Sequence, residues 1–397
     1  MRTHTTAGSI YITVINVITF EMSKLKRKII LAIVLVIVII ASLFITLNWM
    51  NSGTISNCYV GVEVAYTNTN TSDIRSMVDR VKSYTNVLVI GSVELTYNET
   101  ALNESCDYIY DAGLKIIVLL TNHSNYGYDE LAWVSKAQQK YGDGFLAVYR
   151  YDEPAGDQLD DTKDAFVNNA TSYTDAASKY TYILEQHVNF YRGNARTILT
   201  ADYGLYWWDY KSEYDSILAE FVGNQSRQRH IGLCRAAATV NNKTWGTIIT
   251  WKYNQSPYIE SSDELYNDLT LAYTNGAKYI IVFNYPKIGP YGLLTDDHFK
   301  ALNRFWDYAR RTPQDYNSVK AEAVYVLPNG YGSGLRSATD TIWGLFPPDN
   351  LSAKAWNDIA LLINHYDSKF DIVFDDESLG NMSSRYSKVF YWNETVT

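Results

Sequence analysis

Asp152 and Glu153 stand side by side in FLAVYRYDEPAG, where an apolar run ends in two carboxylates and a proline. A carboxyl group at the end of a strand can protonate a leaving oxygen, attack carbon or activate water. Two such groups across a cleft are the tools of glycoside hydrolysis. Neighbours on an extended strand face opposite ways, so the motif is expected to contribute one working residue, Glu153. Its catalytic partner must come from another strand end. Asp202, closing the run RTILTAD, is the leading choice, and it would serve equally well as a cap for the turn before Gly204. Glu63 and Glu94 are substitutes, although for Glu63 a buried ion pair with Arg150 is the structural alternative.

Sugar rings present apolar faces on which aromatic side chains stack, and this chain has 34 tyrosines and 10 tryptophans. Tyr206, Trp207 and Trp208 follow the strand that carries Asp202, where adjacent bulky aromatics have little core to fill. Trp251, Tyr253, Asn284 and Tyr285 lie at two further strand ends. These seven are the expected sugar-binding set. The six histidines are scattered without the spacing of a metal site, and no strand-end group completes a Ser/His/Asp triad. No metal or cofactor is expected. Cys58, Cys106 and Cys234 allow one disulfide with one thiol left over, with all three pairings open. The glycines at 330, 332 and 334 read as a tight strand-to-helix turn rather than a phosphate cradle.

The elements that must carry these residues are short apolar runs alternating with helix-length amphipathic segments, the pattern of βα units. Seven runs read as strands: 59–66, 86–92, 114–121, 145–151, 196–204, 246–253 and 278–285. EYDSILAEFV (213–222) reads as a helix, as does HIGLCRAAATV (230–240). Residues 160–191 form one long helix or two with a break near Asn169. Even spacing and the lack of a dinucleotide fingerprint favour a (β/α) barrel of TIM type over 58–313. Residues 318–397 then form a small flavodoxin-like α/β domain.

KLKRK (24–28) precedes an uncharged stretch, 29–47, close to the roughly 20 residues that cross a bilayer. The basic flank predicts a cytoplasmic N-terminus over 1–28, with the true start at Met22 as an alternative, and an uncleaved signal anchor. After a linker (48–57), the rest lies outside the cell membrane as a single-pass protein. Eleven N-x-S/T sequons, from Asn70 to Asn393, all lie on that side, as in a glycoprotein. A net charge of −9 without a long basic run argues against nucleic acid as a partner.

With these residues in view, YDEP resembles the Asn-Glu-Pro that ends the fourth strand in the large clan of (β/α)8 glycoside hydrolases, which includes the family 42 β-galactosidases. The match covers Glu153 and Pro154, with Asp152 in place of Asn. The resemblance implies that Glu153 is the acid/base. That clan carries its nucleophile at the end of the seventh strand, where VFNYP offers Asn284 and Tyr285, so the second carboxylate falls to Asp202. The expected function is cleavage of O-glycosidic bonds in carbohydrate. The alternative is a non-catalytic glycan-binding or cell-envelope protein on a degenerate barrel.

Overall fold

The computed structural model describes residues 58–66, 71–121, 123–160, 163–289, 291–314, 316 and 319–396, together with Val36, Ile39 and Ser42. The anchor expected at 29–47 otherwise lies outside the described residues. Among those described, no helix is long and apolar enough to cross a membrane.

Eight βα units follow one another. β1 (Tyr59–Ala65) leads to α1 (Ser72–Val81), β2 (Val87–Gly91) to α2 (Val93–Thr96) and α3 (Glu99–Asp111), β3 (Lys115–Leu120) to α4 (Glu130–Tyr141), and β4 (Phe145–Arg150) to α5 (Pro154–Leu159) and α6 (Tyr173–Arg192). Next come β5 (Ile198–Asp202) with α7 (Tyr206–Lys211), β6 (Ser216–Phe221) with α8 (Arg227–Val240), β7 (Thr244–Ile249) with α9 (Ser262–Thr274), and β8 (Tyr279–Asn284) with α10 (Asp296–Arg311). The strands are parallel and close into a barrel, β8 pairing with β1.

The segment 213–222 is therefore a strand rather than a helix, and every residue of β6 is buried. A parallel strand covered on both faces shows no period-2 alternation, so its pattern cannot be told from that of a buried helix. The correction makes the run ending in Asn284 the eighth strand rather than the seventh. The segment 230–240 is helical as expected, and of the described residues in 160–191 those from Tyr173 onward form a helix, α6, capped by Ser172. Cys58, Cys106 and Cys234 are all buried free thiols, so the disulfide considered above is not formed.

After the barrel, β9 (Ala323–Leu327), α11 (Asn350–Tyr366), β10 (Phe370–Phe374) and β11 (Lys388–Tyr391) build a three-stranded parallel sheet in the order β10-β9-β11. It belongs to the same compact unit as the barrel. Gly232 lets α8 approach β10, since a Cβ there would stand 2.7 Å from the carbonyl oxygen of Phe370. Three residues on, the Arg235 guanidinium meets the Asp371 carboxylate at 2.8 Å, both side chains almost wholly buried. The glycine-bearing loop is closely packed: a Cβ on Gly332 would strike the ring of Trp343 at 2.2 Å.

Candidate active site

Between β4 and β5 the ladder pairs at only two positions, Val148 with Ile198 and Tyr149 with Leu199. Beyond them the chain bends sharply. Tyr151 and Glu153 both adopt left-handed backbone angles, with φ of 60° and 52°. Such conformations cost side-chain-bearing residues on the order of 1–3 kcal/mol each and persist only where their surroundings impose them. Here β5 imposes them. Thr200 donates its hydroxyl to the Tyr151 carbonyl, the Glu153 N–H donates to Ala201 O at 3.0 Å, and Pro154 starts α5 directly behind. The bend leaves the Glu153 side chain in hydrogen-bonding contact with a carboxylate on β6.

Asp202 is not that carboxylate. It is completely buried, and its two oxygens accept the backbone N–H groups of Ala155 and Tyr203, each at 2.8 Å. It thus caps α5, whose own N-cap residue, Glu153, makes no side-chain cap bond. Asp202 is also hydrogen-bonded to Asp209, which accepts from Tyr180 at 2.7 Å. Burial pushes Asp209 up to about 8 and Asp202 well above the carboxylate range, so this pair retains a proton beneath the site. Asp202 thus holds the start of α5 directly behind Glu153 and is closed off from solvent.

The carboxylate that meets Glu153 is Glu220, from the strand the sequence pattern concealed. Glu220 is 3% exposed and hydrogen-bonded to Glu153. Burial, then Glu153, Asp152 and Asp202, push Glu220 well above its ordinary range. Glu153 rises to about 7, first through burial and then through Asp152. Two carboxyls in contact cannot both be ionised cheaply, so the pair keeps one proton once the pH passes about 7. Glu220 is the deeper member and carries it, donating to an ionised Glu153.

Two more acids complete the cluster. Glu63 does not pair with Arg150. It leans over β2, where Gly91 leaves room: a Cβ on Gly91 would stand 2.0 Å from Glu63 Oε1. Burial and the charges of Asp152 and Glu153 raise its carboxyl well above the usual range. Asp152 is accessible to solvent yet closely surrounded by protein, which raises its carboxyl, while Tyr149 donates a hydrogen bond to it. Glu94 lies exposed on α2, outside this group.

The expected sugar-binding aromatics divide. Tyr206, Trp207 and Trp208 are all at most 3% exposed. Tyr206 bonds His230 at 2.7 Å, Trp207 donates to Asp376 at 2.7 Å, and Trp208 packs against Trp343 and Phe374 with ring centroids 4.8 and 4.5 Å away. They have a core to fill after all, made with the C-terminal sheet. Asn284 is likewise wholly buried, under the loop that ends at Leu294. Trp251 and Tyr285 do stay at the mouth, ring to ring at 6.0 Å, and Tyr285 continues to Tyr66 at 5.2 Å. Tyr253 stands beyond them, 39% exposed. Tyr66 closes the wall onto the acids: burial, then Asp152, Glu63 and Glu153, push its phenol up to about 12. Among the described residues no cluster could hold a metal ion.

A closed (β/α)8 barrel with a proton-sharing carboxylate cluster and an aromatic wall at the C-terminal ends of its strands is the class of protein that fold and site define. No family model matches the sequence, and no curated protein matches it either. Among solved structures it is similar to α-L-fucosidase isoenzyme 2 from Paenibacillus thiaminolyticus, at 12% identity over 84% of this chain and 59% of that one, with a TM-score of 0.49. It is also similar to the mannanase BCman from Bacillus subtilis (14% identity, 67% and 88% covered, TM-score 0.40). A third is the family 1 β-glucosidase from Thermotoga maritima (7%, 64% and 97%, TM-score 0.40).

Proposed function

We propose that the protein is a glycoside hydrolase whose working pair is Glu153 and Glu220. The geometry that carries this reading is the contact between the buried Glu220 carboxyl and the half-buried Glu153 carboxyl, beside a wall of Tyr66, Tyr285 and Trp251. Cleavage of a glycosidic bond needs one protonated acid and one ionised carboxylate. Glu220 supplies the proton to the leaving oxygen, and Glu153 supplies negative charge at the anomeric carbon or to the water that attacks it. The acid role that the sequence motif suggests for Glu153 thus passes to Glu220. A substrate separates the two side chains and takes over each one's hydrogen bond. The test is hydrolysis of a panel of aryl glycosides and polysaccharides by the full chain beside Glu153→Gln and Glu220→Gln. Loss of turnover in both variants, with folding intact, supports the reading. Glycan binding without turnover in the wild type would replace it with the non-catalytic alternative.

We place this activity outside the cell, on a protein anchored by residues 29–47 and N-glycosylated. Two things support this: the basic flank ahead of the apolar stretch, and the exposure of Asn98, Asn169, Asn224, Asn242, Asn254, Asn350, Asn381 and Asn393, all sequon asparagines. Membrane fractionation of the native protein, with its mass before and after enzymatic removal of N-glycans, tests both.

A further inference from the structure

Beside the carboxylate cluster a cavity of about 580 Å³ opens between the end of β4 and α6. This lies within the roughly 300–1,000 Å³ of small-molecule sites. Asp152 borders both the cavity and the cluster, so a chain of sugars crossing the mouth would place one residue here.

The cavity wall holds a buried cation. Arg150 is 7% exposed. Its Nη1 donates to Leu120 O at 3.1 Å and to Thr121 O, and its Nη2 contacts His187 Nδ1 at 3.0 Å. Those bonds use three of the five guanidinium hydrogens. Nε, shielded from solvent, has no partner among the described residues. No carboxylate among them forms an ion pair with Arg150, which instead lies over the face of Tyr191. A desolvated guanidinium without a counter-ion is unfavourable, and its planar fork fits carboxylate or sulfate oxygens. Burial, then the Arg150 charge, push the His187 imidazole down to about 4. The ring is therefore neutral, and with Nδ1 accepting from Arg150, its Nε2 carries a hydrogen and adds a donor. Gln186 and Phe190, both on the exposed side of α6, line the rim. Phe190 offers an apolar face and Gln186 a further amide. Asp152 is the only carboxylate among the described lining residues, and Tyr149 is already hydrogen-bonded to it.

We propose that this cavity is a subsite for an acidic sugar, whose carboxylate or sulfate is held by Arg150, so that the substrate is an anionic glycan rather than a neutral one. This rests on the glycosidase reading but is tested without turnover. Calorimetric titration of the full chain, carrying Glu153→Gln to prevent cleavage, would compare trigalacturonate with its methyl ester and with a sulfated galactan oligosaccharide. The anionic ligands are expected to bind about tenfold more tightly than the ester, with the preference shrinking as salt rises. Arg150→Gln should abolish the preference. Gln186→Glu, which adds a charge at an exposed helical position and leaves the folded core intact, should abolish it too. A preference for only one of the two anions identifies the charged group and supports the subsite. Equal affinity for anionic and esterified ligands, or a preference that survives Gln186→Glu, overturns it. Acidic glycans bound by the wild type but never cleaved would sink the hydrolase reading and leave the subsite standing; neutral glycans cleaved with no acidic preference would do the reverse.

Discussion

Replacing Glu153 by Gln should make the protein harder to unfold at neutral pH while removing its chemistry. The Glu153 carboxyl ionises near 4.5 when unperturbed and near 7 in the fold, where burial and Asp152 hold its proton on. Below pH 4.5 both folded and unfolded chains are protonated, and the full stability is present. As pH rises towards 7 the unfolded chain gives up the proton and the folded one retains it, so stability is lost. At about 1.4 kcal/mol per pH unit, the interval from 4.5 to about 7 corresponds to about 3 kcal/mol. Gln cannot ionise, and its amide oxygen can still accept from the Glu220 hydroxyl. The unfolding free energy of Glu153→Gln should therefore match that of the wild type to within about 1 kcal/mol near pH 4.5. Above pH 7 it should exceed it by about 3 kcal/mol. Urea denaturation of both proteins at the two pH values measures the gap. A gap that stays constant with pH, or a wild type that gains on the variant as pH rises, would refute the account of a carboxyl held protonated by burial.

Glu220→Gln should lower kcat by roughly two to four orders of magnitude, read from initial rates on the best substrate of the panel. In the wild type, kcat/KM should climb as pH rises through about 7, when the pair passes from two protons to one; a rate that falls across that range would contradict the one-proton assignment. Trp208→Ala should cost about 3–5 kcal/mol of unfolding free energy by loss of its packing on Trp343 and Phe374, with glycan affinity unchanged. Gly91→Ala should displace Glu63 and cost about 1–3 kcal/mol, measured as a drop in the urea midpoint.

The barrel was legible wherever apolar runs were bounded by turn residues, because a strand between two helical layers announces itself by length and β-branching. β6 was not legible: Ser216, Ile217, Leu218 and Ala219 carry neither a strong β signal nor an alternation, and a strand buried on both faces needs none. Losing it concealed Glu220. A single polar residue near the end of a buried run, such as Glu220 before Phe221, was the available signal. Glu153 could be singled out because Pro154 marks the start of α5, a local event. The burial of Asp202 was not legible because its surroundings are set by what lies across space: the N–H of Ala155, 47 residues away along the chain. The misreading of Trp207 and Trp208 has the same origin, since their neighbours Trp343 and Phe374 come from a part of the chain more than a hundred residues later.

That distance also sets an order of events during synthesis. The pair at 207–208 belongs to the fifth of eight barrel units, yet it stays uncovered until Phe374 has been made. A nascent chain therefore displays two tryptophans and the apolar underside of α7 through the translation of three further units and most of the C-terminal sheet. Such a surface invites association with other unfinished chains. The C-terminal sheet thus works as a late-arriving cover, and a fragment ending near residue 313 should accumulate as aggregates rather than as an isolated barrel.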